Sequence, residues 1–194
     1  DVVRDEWGVP HIYGQSQADV FFAQGYITAM DRLVQMDILR HTAEGTIAEL
    51  VGTLSGAALD QDLVFRAHHM RSTAQASWEQ LKASNSVEDQ RFVAALGRYA
   101  AGINAYVADL NAGKYKIPTF LSLFYNAAMF RPWSEVDAIQ LLAFETFYFN
   151  YSAASEIALT QVMAGAKAQF DQSNLPERLA RKGIGADLFR LSPL

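Results

Sequence analysis

The chain has 194 residues and a formal net charge of −5; 51% of its residues are hydrophobic and 19% are charged. It contains no cysteine, which excludes disulfides, cysteine-ligated zinc and a cysteine nucleophile. The acidic balance and the lack of any Lys/Arg run disfavour a nucleic-acid-binding surface and a polybasic membrane anchor. The apolar stretches are too short for a membrane-spanning helix, so we expect no membrane insertion.

The charged fraction lies below the usual value of about 25%. A large interface with a partner accounts for this, and so does a thick core. The chain starts at Asp1 rather than at Met, which suggests a processed or trimmed amino terminus.

The first segment, "RDEWGVPHIYG" (4–14), predicts two short strands within 2–14 around a turn at Glu6-Trp7-Gly8. Two isolated strands are marginal in water, which suggests that they belong to a larger fold. The polar residues of this segment could form an acid–base cluster, but pairing across the turn is the favoured interpretation; they are Arg4, Asp5, Glu6 and His11.

A long amphipathic helix follows, over about 17–42, and Ser16 with Asp19 forms a capping-box-like start. Asp31-Arg32 places charge on this apolar helix. Either the pair faces solvent, or one member is buried and paired. His41 lies at the helix end, where a cation is favoured by the helix dipole.

Further helices are predicted along the rest of the chain. "TIAELVG" is a short helix closed by Gly52, and 53–73 has no clear pattern. Ser86 caps the clearest helix, about 87–111. "TFLSLFYNAAM" is a short apolar helix or an irregular covering segment. Ser134 and Asp137 begin a helix that runs from about 135 to about 165, with a break near 150–153, and a last short helix lies near 174–182. The fold class is therefore mainly α with a short strand pair at the front.

Common catalytic arrangements are missing from the sequence. His68 and His69 are adjacent and lack zinc-ligand spacing. Ser55, in "TLSGA", lacks the G-x-S-x-G frame of a nucleophile elbow. Because Asp1 comes first, the chain presents no terminal Ser, Thr or Cys nucleophile.

Glu156 lies beyond an aromatic run in "FETFYFNYSAASEIALT". A carboxylate beside such an apolar stretch must be exposed, paired or bound to a cation, and calcium is one reasonable cation. The aromatic run itself is typical of a core, but it also resembles the lining of an apolar ligand site.

Several segments in order resemble the α subunit of penicillin G acylases and related N-acyl-homoserine-lactone acylases. The first is "RDEWGVPHIYG", followed by "GYITAMDRLVQMDILRHTAEGTIAELVG" (25–52), "RYAAGINAYV" (98–107), "RPWSEVDAI" (131–139) and "SEIALT" (155–160). The match covers most of the chain and is weak over 53–85 and after 166.

The resemblance implies a precursor with a signal peptide that cleaves itself into an α and a β chain, and a periplasmic or secreted location. The nucleophile is then the N-terminal serine of the β chain, whose own α-amine is the base, so the resemblance implies no catalytic residue in this chain. The whole of 1–194 is one α subunit, incomplete without the β chain, and the two chains form an αββα N-terminal-nucleophile hydrolase. No organic cofactor is implied.

By the same resemblance, the α chain supplies part of the acyl pocket, at Thr146, Phe149 and Asn150, with Phe147 beside them. Glu156 would be a ligand of a structural calcium that the β chain mostly holds.

Penicillin G acylases tend to carry an arginine at the position of Phe149. An apolar ring cannot pair with a β-lactam carboxylate, whereas a neutral homoserine lactone needs no such partner. The resemblance thus predicts an amidohydrolase acting on acyl-homoserine lactones, penicillin G or both. The alternatives are a β-lactam-preferring acylase and a non-catalytic helical interaction domain.

Overall fold

The computed structural model describes residues 1–52, 56–119, 121–122, 125–150 and 153–172, with side chains omitted at 150, 153–156 and 169–172. These residues form a mainly helical chain with one two-stranded sheet. The elements are β1 (Val2–Arg4), β2 (Pro10–Ile12), α1 (Gln17–Glu44), α2 (Ile47–Val51), α3 (Ala57–Ala67), α4 (Met70–Ala83), α5 (Val87–Asn111), α6 (Glu135–Asn150) and α7 (Ala153–Gln172). The chain divides into two compact units, Asp1–Tyr148 and Phe149–Leu194.

The predicted strand pair is confirmed as an antiparallel hairpin in which Val3 faces His11. The turn is held by Asp5, whose Oδ1 accepts hydrogen bonds from the amides of Trp7 and Val9, both at 2.9 Å. Gly8 takes a left-handed φ of 78°, which a side chain rarely adopts. Trp7 stands at the tip with 83% of its surface exposed.

The capping box at the start of α1 is also confirmed, since Ser16 Oγ accepts from the Asp19 amide at 3.2 Å and Asp19 accepts from the Ser16 amide at 3.1 Å. The helix runs two residues beyond the predicted end. It stops at Gly45, whose left-handed backbone (φ 69°) lets its N–H bond back to the last turn.

The main core of the first unit lies between α1 and α5, and two glycines let these helices touch backbone to backbone. A Cβ on Gly25 would lie 2.0 Å from the carbonyl oxygen of Tyr99, and one on Gly102 would lie 2.0 Å from that of Phe22. The α5 bounds equal the predicted 87–111. The face predicted to be apolar is buried from its middle onward, whereas Phe92 near the start is exposed. The buried core consists of Ala29, Leu33, Met36, Ala100, Ile103, Tyr106, Val107, Leu110, Tyr125, Phe130 and Trp133.

The region without a clear sequence pattern contains α3 and the start of α4. Asp62 on α3 is buried and caps α2, because its Oδ1 accepts from the amide of Ile47 at 2.8 Å and its Oδ2 from that of Ala48 at 3.0 Å. A side chain distant in sequence thus satisfies the free amides of a helix start. This explains why the five-residue α2 needs no capping residue of its own.

The segment before α6 is fixed to α5 by one side chain. Asn104 accepts from the amide of Trp133 at 2.7 Å and donates to its carbonyl at 2.9 Å. The predicted Ser134–Asp137 cap then begins α6.

The predicted break near 150–153 agrees with α6 ending at Asn150 and α7 starting at Ala153, although 151–152 lie outside the described residues. Helix α7 reaches Gln172, beyond the end predicted at about residue 165.

The segment "TFLSLFYNAAM" contains a 3₁₀ turn at Ala127–Met129 within its described part. The short helix predicted at 174–182 lies outside the described residues. Across the described helices, none combines the length and hydropathy needed to cross a membrane.

We predict that Gly102→Ala destabilises the protein by about 3 kcal/mol or more, because the new Cβ can be accommodated only if α1 and α5 separate. The matched control is Gly97→Ala on the same helix, where a Cβ would meet only Glu135 Oε1 at 3.5 Å. That control should gain up to about 1 kcal/mol from helix propensity. Urea unfolding of both variants measures the difference; equal stabilities would disprove the close-contact interpretation.

Candidate functional site

The residues predicted to bind substrate follow one another along the last turns of α6. Thr146 Oγ1 donates back to the carbonyl of Leu142 at 2.8 Å, a common arrangement for a threonine within a helix. Phe147 is half-buried, and Phe149 is 81% exposed. Asn150 is the last residue of α6, and its side chain lies outside the described set.

The aromatic run on α6 divides between core and surface. Phe144 is buried and packs on Phe65 of α3, with ring centroids 5.4 Å apart. Phe147 lies 6.1 Å from Phe65 and 4.4 Å from the ring of His68. Tyr148 and Phe149 are exposed. The core interpretation is therefore confirmed for Phe144, and the ligand-site interpretation stays a prediction for the partly exposed Phe147 and the exposed Phe149.

A buried ion pair lies on α1, which sequence reasoning did not identify. Asp37 and Arg40 are 1% and 2% exposed, and Arg40 donates to the Asp37 carboxylate one helical turn away. Arg40 also lies over the Trp133 ring, 4.9 Å from its centroid, and bonds the carbonyls of Arg131 and Pro132 at 3.5 and 3.4 Å. The i,i+3 spacing in "QMDILRH" was the available signal, but it also fits a solvent-exposed pair.

Asp137 extends this pair to α6 and α4. Its Oδ1 accepts from Arg71 Nη1 at 2.6 Å, and its Oδ2 lies 3.9 Å from Arg40 Nη1. Its Oδ2 also accepts from the Ser134 amide at 2.6 Å, so one carboxylate caps α6 and pairs with two guanidinium groups. A negative charge in a first helical turn is further favoured by the helix dipole.

The network closes at the end of α1. Glu44 accepts from Arg131 Nη2 at 2.8 Å and lies 3.6 Å from Arg71 Nη1. We refer to the full set as the Arg40 network; it comprises Asp37, Arg40, Glu44, Arg71, Arg131 and Asp137. Its three carboxylates balance its three guanidinium groups, and the exposed Arg71 and Arg131 bring the positive charge that the buried Asp137 and the partly buried Glu44 require.

Tyr125 borders the network. Burial is the main cause that raises the pKa of its hydroxyl, and the neighbouring Asp37 carboxylate raises this pKa further, so the phenol stays neutral.

His41 is placed as predicted in the last turn of α1, and its contacts are those of a structural residue. Its Nδ1 lies 2.8 Å from Thr46 Oγ1, and its Nε2 lies 3.8 Å from Asp37 Oδ2. The order Thr–His–Asp resembles a catalytic triad, but 3.8 Å exceeds hydrogen-bond length and Asp37 is already paired with Arg40. The imidazole and the carboxylate are also buried.

The polar residues of the hairpin pair across the turn, as favoured from the sequence. His11 Nε2 lies 3.1 Å from Asp5 Oδ2, and this contact is the largest of those that hold the pKa of Asp5 below its ordinary value. Arg4 Nη2 donates to Asp31 Oδ1 at 2.7 Å. Of the two alternatives for Asp31-Arg32, the solvent-facing one is confirmed, since both residues are exposed and Asp31 pairs with Arg4 of the hairpin; the buried pair of α1 is Asp37–Arg40.

Glu156 lies on α7, and its side chain is outside the described set. Among the side chains that are described, no three His, Asp or Glu residues are grouped so as to hold a metal ion. The described part of the chain therefore offers no complete calcium site.

The family model described as "Penicillin amidase" matches residues 1–184 of this chain.

Three curated relatives match over much of the chain. Penicillin G acylase of Escherichia coli is 32% identical over 72% of this chain and 15% of its own length. Penicillin acylase 2 proenzyme of Pseudomonas sp. (strain SE83) is 36% identical over 56% of this chain and 13% of its own length. Acyl-homoserine lactone acylase QuiP of Pseudomonas putida is 32% identical over 88% of this chain and 19% of its own length. The chain thus spans less than a fifth of these relatives.

A solved structure of a thermostable penicillin G acylase from Alcaligenes faecalis resembles the chain in fold. The TM-score is 0.66 at 24% identity, and the match covers 100% of this chain and 94% of that chain.

We predict that Arg40→Met destabilises the protein by about 3–5 kcal/mol, because it leaves the buried Asp37 carboxylate without its cation. The matched control is Arg4→Met, which removes the exposed pair with Asp31 and should cost about 1 kcal/mol or less. Chemical unfolding monitored by circular dichroism measures both. A similar small loss in the two variants would show that the Arg40 network contributes little.

Proposed function

The chain belongs to the penicillin amidase family, and we propose that it is the α subunit of a heterodimeric amidohydrolase that cleaves N-acylated small molecules. The observation that carries the proposal is the family match over residues 1–184, nearly the whole chain. The substrates we propose are acyl-homoserine lactones, penicillin G or both.

The two-chain part of the proposal is supported by a contrast in coverage. The chain spans 13–19% of the curated relatives, one of which is named a proenzyme. It covers 94% of one chain in the solved acylase structure. A precursor that is cut into a short and a long chain accounts for both values. The assembled enzyme would then have the αββα N-terminal-nucleophile fold.

We place the reaction on the partner chain. The terminal serine oxygen attacks the amide carbonyl carbon, with the serine α-amine accepting the hydroxyl proton. The C–N bond then breaks, and the proton passes to the leaving amine. Water hydrolyses the resulting ester, which releases the carboxylic acid and restores the serine.

The α chain would contribute one wall of the acyl pocket, from Thr146, Phe147, Phe149 and Asn150 at the end of α6. An aromatic wall suits the hydrophobic acyl group of either substrate class. Phe149 separates the two classes, because a ring cannot pair with the β-lactam carboxylate. We therefore propose acyl-homoserine lactones as the preferred substrates.

A β-lactam preference is the second candidate, and the match to the penicillin G acylase of Escherichia coli favours it. Its carboxylate partner would have to come from a residue other than Phe149.

We further propose that Glu156 is one ligand of a structural calcium whose remaining ligands come mainly from the partner chain. Hard carboxylate oxygens suit calcium. A periplasmic or secreted location, where calcium is plentiful, fits the same proposal.

We predict that the wild-type enzyme has a higher kcat/KM for a long-chain acyl-homoserine lactone than for penicillin G. Phe149→Arg should raise the penicillin G to lactone ratio by about 10-fold or more, because a charge-assisted hydrogen bond to the β-lactam carboxylate becomes available. Phe149→Gln is the neutral control, and Tyr148→Arg tests whether the position matters. A large wild-type preference for penicillin G would contradict the lactone assignment.

Amino-terminal sequencing of the same purified enzyme tests the two-chain assignment. A second, longer chain beginning with serine is expected. A protein without such a chain, or one whose partner starts with neither Ser, Thr nor Cys, would overturn it.

We predict that Glu156→Ala lowers the calcium content of the purified enzyme or slows precursor maturation, because one hard oxygen ligand is lost. Glu145→Ala, which removes an exposed carboxylate from α6, is the control. Elemental analysis gives the calcium content per enzyme, and gel electrophoresis gives the fraction of cleaved precursor. If both are unchanged in Glu156→Ala, Glu156 does not bind calcium.

A further inference from the structure

The corner between α3 and α4 is made by two histidines with different backbone conformations. His68 closes α3 with φ −79°, and His69 precedes α4 with a left-handed φ of 53°. Among the described residues, His69 is the only one other than glycine with a positive φ. Such conformations persist where the surrounding structure holds them, and they are frequent at functional sites.

The corner places the His68 ring against α6. The ring centroids of His68 and Phe147 are 4.4 Å apart, with an angle of 52° between the planes. Phe65, one turn earlier on α3, lies 6.1 Å from Phe147 and 6.4 Å from His68. Two rings from the α3 end therefore contact Phe147, while the half-buried Phe147 still presents part of its surface outward.

The character of the two contacts differs. Phe65 is half-buried and also packs on the buried Phe144, so it belongs to the core. His68 is exposed, and its imidazole can cover an apolar ring with one edge in water. Loss of His68 should therefore uncover one side of the Phe147 ring, while the packing of Phe147 and Phe65 on the buried cluster of Ala43, Met70 and Phe144 remains.

We propose that His68 is a positioning residue that fixes the orientation of the Phe147 ring and thereby sets the length of acyl chain that the enzyme accepts. This rests on the proposed function, in which Phe147 is part of the acyl pocket. With the imidazole present, the ring cannot turn towards α3. Without it, the ring moves into the vacated space and the pocket deepens on that side.

The test measures kcat and KM of the complete two-chain enzyme for a series of N-acyl-homoserine lactones of increasing chain length. His68→Ala and His68→Asn should both shift the optimum to longer chains, raising kcat/KM for a chain two carbons longer, relative to the wild-type optimum, by about 10-fold. The change should lie in KM more than in kcat, because the reacting groups are untouched. His68→Phe keeps a ring on Phe147 and should restore the wild-type profile.

Two further variants separate positioning from general loosening of the fold. His69→Asn removes the neighbouring imidazole and keeps a residue type that tolerates the left-handed backbone, so its chain-length profile should equal that of wild type. In a Phe147→Ala background, His68→Ala should no longer shift the profile, because the ring through which it acts is gone. Thermal unfolding of each variant reports stability separately.

The outcomes distinguish this inference from the proposed function. If the wild-type enzyme hydrolyses lactones but His68→Ala and His68→Asn leave the profile unchanged, the inference is wrong and the function stands. A shift that persists in the Phe147→Ala background also overturns it. A wild-type enzyme that hydrolyses no N-acyl amide overturns both.

Discussion

Two glycines set the distance between α1 and α5, and most of the first unit is organised around that contact. At Gly25 and Gly102 the two backbones approach so closely that no Cβ fits between them. Because the helices are this near, their facing side chains fill a core that continues along both helices. Asn104, half a turn beyond Gly102, then binds both backbone groups of Trp133 and so determines where α6 begins.

A network of ion pairs connects further helices to the α1–α5 pair. The Arg40 network joins α1, α4, the 131–132 segment and α6 through charges that balance one another; Asp37, Arg40 and Asp137 are buried, and the exposed Arg71 and Arg131 complete the network from the surface. Apolar packing alone tolerates small sliding of one helix along another. Asp137 caps α6 and pairs with both Arg40 and Arg71, and these directional contacts favour one register of α6 against α1 and α4. The positions of Phe144 and Phe147 on α6 thus depend on contacts made at the beginning of that helix.

The sequence allowed the long helices and the hairpin to be predicted because their signals are local. The Ser16–Asp19 and Ser134–Asp137 caps, Gly45, and the 3–4 spacing on α5 act within a few residues of where they are read. The α3–α4 corner could not be predicted, since His69 adopts a left-handed backbone that only packing can impose. The cap of α2 was equally hidden in the sequence, because Asp62 lies fifteen residues beyond the amide that it binds.

The same division holds for the candidate site. Sequence reasoning proposed Phe147 as a site residue but could not foresee the His68 ring that packs on it, because that contact joins residues 79 positions apart. Asp37 and Arg40 were missed for a related reason. Their spacing fits a surface pair equally well, and only the segment that covers them makes them buried.

The hairpin tip also gives the chain a built-in optical reporter. Of its three tryptophans, Trp7 is exposed to water, while Trp78 and Trp133 are buried. An indole in water emits at longer wavelength than one in an apolar core, so the red edge of the fluorescence spectrum comes mainly from the hairpin. Any chain that covers the hairpin would shift that edge to the blue and leave the two buried indoles unchanged. Binding of the proposed partner chain at the hairpin can therefore be tested by fluorescence in the unlabelled protein.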